Sequence, residues 1–139
     1  MSNAAIFAQN TTTQTLTSGS PVNLGTAVHG FGNTSCYQKI MDMVSGNLVL
    51  RECGMYGITM AFAVSASAAA TVTLSVYENG VFTGVQMPTT ISAANDAACV
   101  VLPIGPRVDK GTSDTISVVA TSTAGDIIIG NVSTVGKKL

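Results

Sequence analysis

Between Gly54 and Val64 the chain reads GMYGITMAFAV, with bulky apolar side chains at Tyr56, Ile58, Met60, Phe62 and Val64 and small ones at Gly57, Thr59, Ala61 and Ala63. Strict alternation of this kind fits a β-strand that turns one face into a core. The intervening face carries no charge. Its small residues suit a surface on which another layer of protein lies, so the strand constrains both the fold class and the association state.

The remaining apolar segments are short and separated by turn chemistry. AIFAQN, AVHGFG, CYQKIMDM, NLVLRE, ATVTLSVY, GVFTGVQM, ACVVLPIG, DTISVVATS and DIIIGNVSTV are rich in Val, Ile and Thr and are bounded by Gly, Asn, Ser and Pro. About ten such strands at close spacing predict an all-β sandwich or barrel. No segment sustains a helical period, and the Ala-rich SASAAA is too short for more than a strand connection. Asn79-Gly80 predicts a two-residue hairpin turn, because both central positions of a type I′ turn need positive φ. Ser45-Gly46 is the turn of another hairpin, and Gly111 permits a tight bend in DKGTSD at the entrance to a later strand.

At 139 residues the chain fits one domain. Only 9% of its residues are charged and 46% are hydrophobic, so Ser, Thr, Asn, Gly and Ala must build the exterior. A surface so poor in charge points to oligomerisation or a covering partner. The net charge of −1 offers no basic stripe for a phosphate backbone, which argues against nucleic acid as a partner. No apolar run approaches membrane-spanning length, and the start MSNAAIFAQN lacks the basic and apolar regions of a secretory signal; it reads equally as a native start or as a tag remnant. The polar stretch NTTTQTLTSGS divides the chain into an N-terminal strand and attachment arm over 1–20 and a sandwich domain over 21–139.

Reactive chemistry finds little support. Cys36, Cys53 and Cys99 are odd in number and lack metal-ligand spacing, and the single His29 does not complete a zinc set. Cys36 and Cys53 flank a hairpin, where either a disulfide or buried thiols fit; Cys99 is expected as a small core residue. His29 with Asp42 or Asp114 and a nucleophile is the best enzyme reading, but no nucleophile elbow, phosphate loop or carboxylate pair accompanies it. Catalytic, cofactor and metal sites are therefore expected to be absent. Tyr77 and Phe82, bracketing the Asn79-Gly80 turn, are candidates for stacking a sugar or, more simply, for pairing across strands. The Asn-x-Ser/Thr triplets at Asn10, Asn33 and Asn131 would be glycosylated only in a eukaryotic secretory context.

In order along the chain, AIFAQN, VNLGTAV followed by Asn33 and Tyr37, GNLVLRECGMYGITMAF, LSVYENG and VDKGTSDTISVV resemble the successive blocks of the complement first-component globular head and the related tumour necrosis factor family. Gly54, Tyr56 and Ile58 match best. Leu48 stands at an aromatic position of the family, and the family's Phe-x-Gly ending is missing from DIIIGNVSTV. The resemblance implies a two-sheet antiparallel jelly roll that assembles as a homotrimer, with the last strand in the inner sheet. It implies a seam formed by Phe7, His29, Tyr56, Gly57, Thr59, Ala61, Ala63 and Ile128. The scarcity of aromatics and the front FAQNTTTQTL resemble small jelly-roll proteins of bacteriophages and, without their Gly-x-y repeats, the terminal domains of bacterial spore-surface proteins. The implied role is a non-enzymatic virion protein: a capsid decoration protein or head fibre, made in the host cytoplasm, attached to the major capsid protein or another virion protein through Ile6, Phe7, Asn10, Thr12 and Gln14. The alternative is a trimeric module that binds a cell-surface glycan or receptor on a phage or spore surface.

Overall fold

A computed structural model describes residues 4–31 and 39–139. Its described residues form strands, turns and bends and contain no helix. The strands are β1 (Ala5–Asn10), β2 (Gln14–Leu16), β3 (Ser20–Pro21), β4 (Thr26–Phe31), β5 (Met41–Val44), β6 (Asn47–Leu50), β7 (Gly54–Ala66), β8 (Ala70–Glu78), β9 (Val81–Ile91), β10 (Ala98–Ile104), β11 (Arg107–Val108), β12 (Asp114–Ser122) and β13 (Ile127–Lys138). They form two antiparallel sheets. The larger runs β10-β7-β13-β1-β4, with β11 added to β7 and β2 to β13. The smaller runs β5-β6-β12-β8-β9, with β3 added to β12.

The alternation of β7 does what its sequence requires. Tyr56, Ile58, Met60, Phe62 and Val64 are buried, and they meet Leu48, Leu50, Val72, Leu74, Val76, Ile116 and Val118 from the opposite sheet. Full burial of each such side chain contributes roughly 1.5–3 kcal/mol. Tyr56 fits because its hydroxyl donates to the Glu52 carbonyl. Burial pushes its phenol up to about 12, against the opposing effect of that hydrogen bond.

The turns follow their residues. Ser45-Gly46 and Asn79-Gly80 both adopt positive φ at both positions, the geometry a two-residue hairpin needs. Asn79 is anchored further: its backbone N–H donates to the Thr115 carbonyl, and its side chain bonds Asp114 and the Thr115 N–H.

The N-terminal segment lies along both sheets. β1 is an interior strand of the larger sheet, paired with β13 on one side and β4 on the other, and β2 continues along β13. β3 crosses to β12 in the other sheet. Asn23 explains why the polar run lies down. Its carbonyl accepts from the Asn10 and Gln14 side chains, its N–H donates to Gln14 Oε1, and its own Oδ1 accepts the Gly25 N–H. Among the described residues of 1–20 the expected N-terminal strand is β1, and the uncharged polar side chains that follow it bond one another and the backbone.

Candidate assembly face

The outward surface of the larger sheet can be assembled row by row, since directly paired residues of antiparallel strands share a face. One row runs Pro103, Thr59, Val135, Phe7, His29; the next runs Val101, Ala61, Ser133, Gln9, Thr26. Toward one end lie Cys99, Ala63 and Asn131, followed by Ser65 with Ile128; toward the other lie Gly57, Lys137 and Ala5. Val101 and Val135 are about half exposed, at 47% and 54%. Within these rows Lys137 is the single Lys or Arg, and no Asp or Glu occurs.

Phe7, His29, Gly57, Thr59, Ala61, Ala63 and Ile128, expected at a seam, therefore share one face. Tyr56 does not. It is fully buried between the sheets because it belongs to the inward parity of β7. Sequence reasoning missed Val101, Pro103, Val135 and Cys99. Cys99 was expected in the core, yet it is exposed and paired with Ala63, because Val100 and Leu102 take the inward positions of β10. Every residue of ACVVLPI is apolar or small, so the sequence carries no alternation from which to choose. Pro103 is tolerated on this edge strand, where no further strand asks for its missing N–H.

Of the residues expected at an attachment site, Ile6 is a core residue, 2% exposed, and Phe7 belongs to the face just described. Asn10 and Gln14 are held by Asn23, and Thr12 is exposed in the turn between β1 and β2, where its N–H bonds the Asn10 side chain. For Cys36 and Cys53 the sequence leaves both a disulfide and buried thiols open; Cys36 lies outside the described residues, and Cys53 is a free, exposed thiol.

The two carboxylates considered as partners of His29 are engaged elsewhere. Asp42 bonds Arg51 at 3.1 Å and Asp114 accepts from Asn79. A hydrogen bond with Asp114, together with burial, raises the Glu78 carboxyl to about 7. Among the described residues no group of three or more His, Cys, Asp or Glu is placed to hold a metal ion. No helix there is long and apolar enough to cross a membrane. Tyr77 and Phe82 pair across β8 and β9 with centroids 5.7 Å apart and a tilt of 49°.

No family model and no curated protein matches the sequence. Solved structures do. The Eiger tumour necrosis factor of S. frugiperda is similar over 100% of this chain and 94% of its own, with a TM-score of 0.61 and 12% identity. The vertex protein P5 of phage PRD1 is similar over 100% of this chain and 99% of its own, with a TM-score of 0.54 and 13% identity. The chain has the tumour necrosis factor-like jelly-roll fold. The resemblance found in the order of its sequence blocks is thus matched by the fold.

Proposed function

We propose that the chain is a non-enzymatic virion structural protein, a capsid decoration protein or head fibre of a bacteriophage, which assembles as a homotrimer through the outward face of its larger sheet. The face carries the proposal. It mixes small and apolar residues, among them Gly57, Thr59, Ala61, Ala63, Phe7 and Pro103, with a few uncharged polar ones, exposes Val101 and Val135, and in the rows described has no acidic residue. A patch of this composition covers itself by association. That a phage vertex protein has the same fold supports the virion setting. Thr12, with Asn10 and Gln14 behind it, is the proposed contact with the major capsid protein or another virion protein. Affinity there must come from uncharged hydrogen bonds multiplied over three copies.

Two measurements test this reading. Sedimentation of the purified chain should find a trimer at micromolar concentration, and a stable monomer would overturn the assembly. Virions imaged with an antibody against the chain should show labelled three-fold protrusions on the capsid; label confined to the host cell envelope or to spores would overturn the location.

A further inference from the structure

The chain has six Lys and Arg residues in all, and every one lies at the same end of the sandwich. Lys39 precedes β5, and its carbonyl accepts from Arg51 at the end of β6. Arg107 pairs with Met55 at the start of β7, Lys137 and Lys138 pair with Gly57 and Tyr56, and Lys110 sits in the turn that leads into β12. The opposite end carries Asp96 and Asp126 in its loops and neither Lys nor Arg.

The cations are not all consumed by the acids beside them. Arg51 pairs with Asp42, and Lys138 with Glu52 in a half-buried bridge. Arg107 and Asp109 are 3.7 Å apart but 75% and 79% exposed, a pair worth little in water. Glu78 and Asp114 are occupied with each other. Among the described residues Lys39, Lys110 and Lys137 make no ion pair.

Two hollows open side by side at this pole and meet at Cys53. One, of about 330 Å³, is lined by Arg51, Cys53, Gly111, Thr112 and Ser113. The other, of about 390 Å³, is lined by Cys53, Gly54 and Met55 and by the run from Arg107 to Lys110. Each has room for a single sugar ring or a group of that size. In the first hollow the hydroxyls of Thr112, which donates to the Asp109 carbonyl and keeps its lone pairs, and of Ser113 are polar partners for a hydroxylated ring; in the second the Asp109 carboxylate and the side chain of Met55 supply a polar and an apolar contact. Arg107 and Lys110 supply the charge for an acid group on it.

We propose that this pole is a binding site for an acidic saccharide of at least two rings, with Arg107 and Lys110 receiving a carboxylate and Asp109 a hydroxyl in the second hollow, and Thr112 and Ser113 meeting hydroxyls of the adjoining ring in the first. The inference stands on the single chain and needs neither the trimer nor the virion. A nucleic acid would ask for a continuous row of unpaired cations, which the Asp42 and Glu52 pairs interrupt.

The test is titration of the intact chain with polygalacturonate at low salt, beside neutral dextran, polyglutamate and a DNA duplex. Polygalacturonate should bind and neutral dextran should not. The variant R107E/K110E, altered only at exposed side chains, should bind at least tenfold more weakly with unchanged melting. Adding D96K/D126K at the far pole restores its formal net charge and should leave binding weak. Recovery of binding in that fourfold variant would mean that net charge alone is read, and would overturn the site. Polyglutamate or DNA bound as tightly as polygalacturonate would overturn the saccharide, and no binding of polygalacturonate to the unaltered chain would overturn the proposal outright. Should R107E/K110E melt early, R107Q/K110Q takes its place with the same expected loss.

Discussion

Ala61→Glu separates folding from assembly. Ala61 lies at the middle of the outward face between Val101 on β10 and Ser133 on β13, and it is half-buried in the single chain. A glutamate there can reach water while the chain is alone, so the fold should survive. Once another copy covers the face, the carboxylate loses its water and finds no cation. Lys137 is the nearest one in the rows, four residues along β13 from Ser133, or about 14 Å at the rise of a strand. An uncompensated charge of this kind costs about 3 kcal/mol or more. Three copies would bring about 9 kcal/mol against the trimer, a loss of roughly six decades in the association constant at 1.4 kcal/mol per decade. Sedimentation velocity at micromolar concentration should therefore show a monomer whose circular dichroism is that of the parent. Thr121→Glu, exposed on the other sheet, serves as the control and should stay trimeric. A trimeric A61E protein with unchanged melting would show that the face is exposed in the assembly and would refute the reasoning.

Other expectations can be checked by melting. Gly25 has φ +96° and a Cβ there would stand 2.1 Å from the Gln9 carbonyl oxygen, so Gly25→Ala should cost at least about 3 kcal/mol; a shift below 2 °C, on the scale of about 3 °C per kcal/mol, would contradict the clash. Thr134 is fully buried and its hydroxyl has no partner, so Thr134→Val should stabilise by about 1 kcal/mol, and a loss of stability would mean that the hydroxyl is satisfied. The Glu78 carboxyl is raised from 4.5 to about 7, so the folded chain holds more protons than the unfolded one between these values. Its contribution is complete below about 4.5 and is lost as pH rises through about 7. Melting of the parent should fall across that window and that of Glu78→Gln should not; parallel curves would exclude the carboxyl pair as the cause.

How far the sequence could be read depended on whether a strand alternates. β7 declared both of its faces, and Asn79-Gly80 and Ser45-Gly46 declared their turns, because each feature is local. β10 has no alternation, so its register with β7 decided that Val100 and Leu102 turn inward and Cys99 and Val101 outward. The run after Asn10 read as an arm over the surface because its composition is polar and uncharged. What pins it is Asn23, acting 9 and 13 residues away through side-chain bonds that no periodicity reveals. The expectation of Tyr56 at the seam contradicted the parity that the strand itself announced. The face was legible from β7, while its Val101, Val135 and Cys99 members needed the topology.

The gathering of cations at one pole needed the topology as well, and it bears on how the face and the pole work together. In antiparallel strands the chain reaches a given end only at alternate connections. Lys39, Arg51, Arg107, Lys110, Lys137 and Lys138 are scattered in sequence, but each falls at or beside a connection on the same side. The two broad faces are left almost without charge, so association through them meets little electrostatic resistance and little electrostatic guidance. A rotation axis parallel to the strands, as the proposed trimer would have, sets three such poles side by side and facing one way. A weak hollow at each pole is then presented three times within a few nanometres. A polymer with repeating acid groups engages the second and third at high effective concentration, which multiplies avidity without any new contact. Polygalacturonate should accordingly bind the parent far more tightly than it binds A61E, while a single galacturonate unit should bind both alike. Equal affinity of the polymer for both proteins would separate the pole from the face and leave each hollow acting singly.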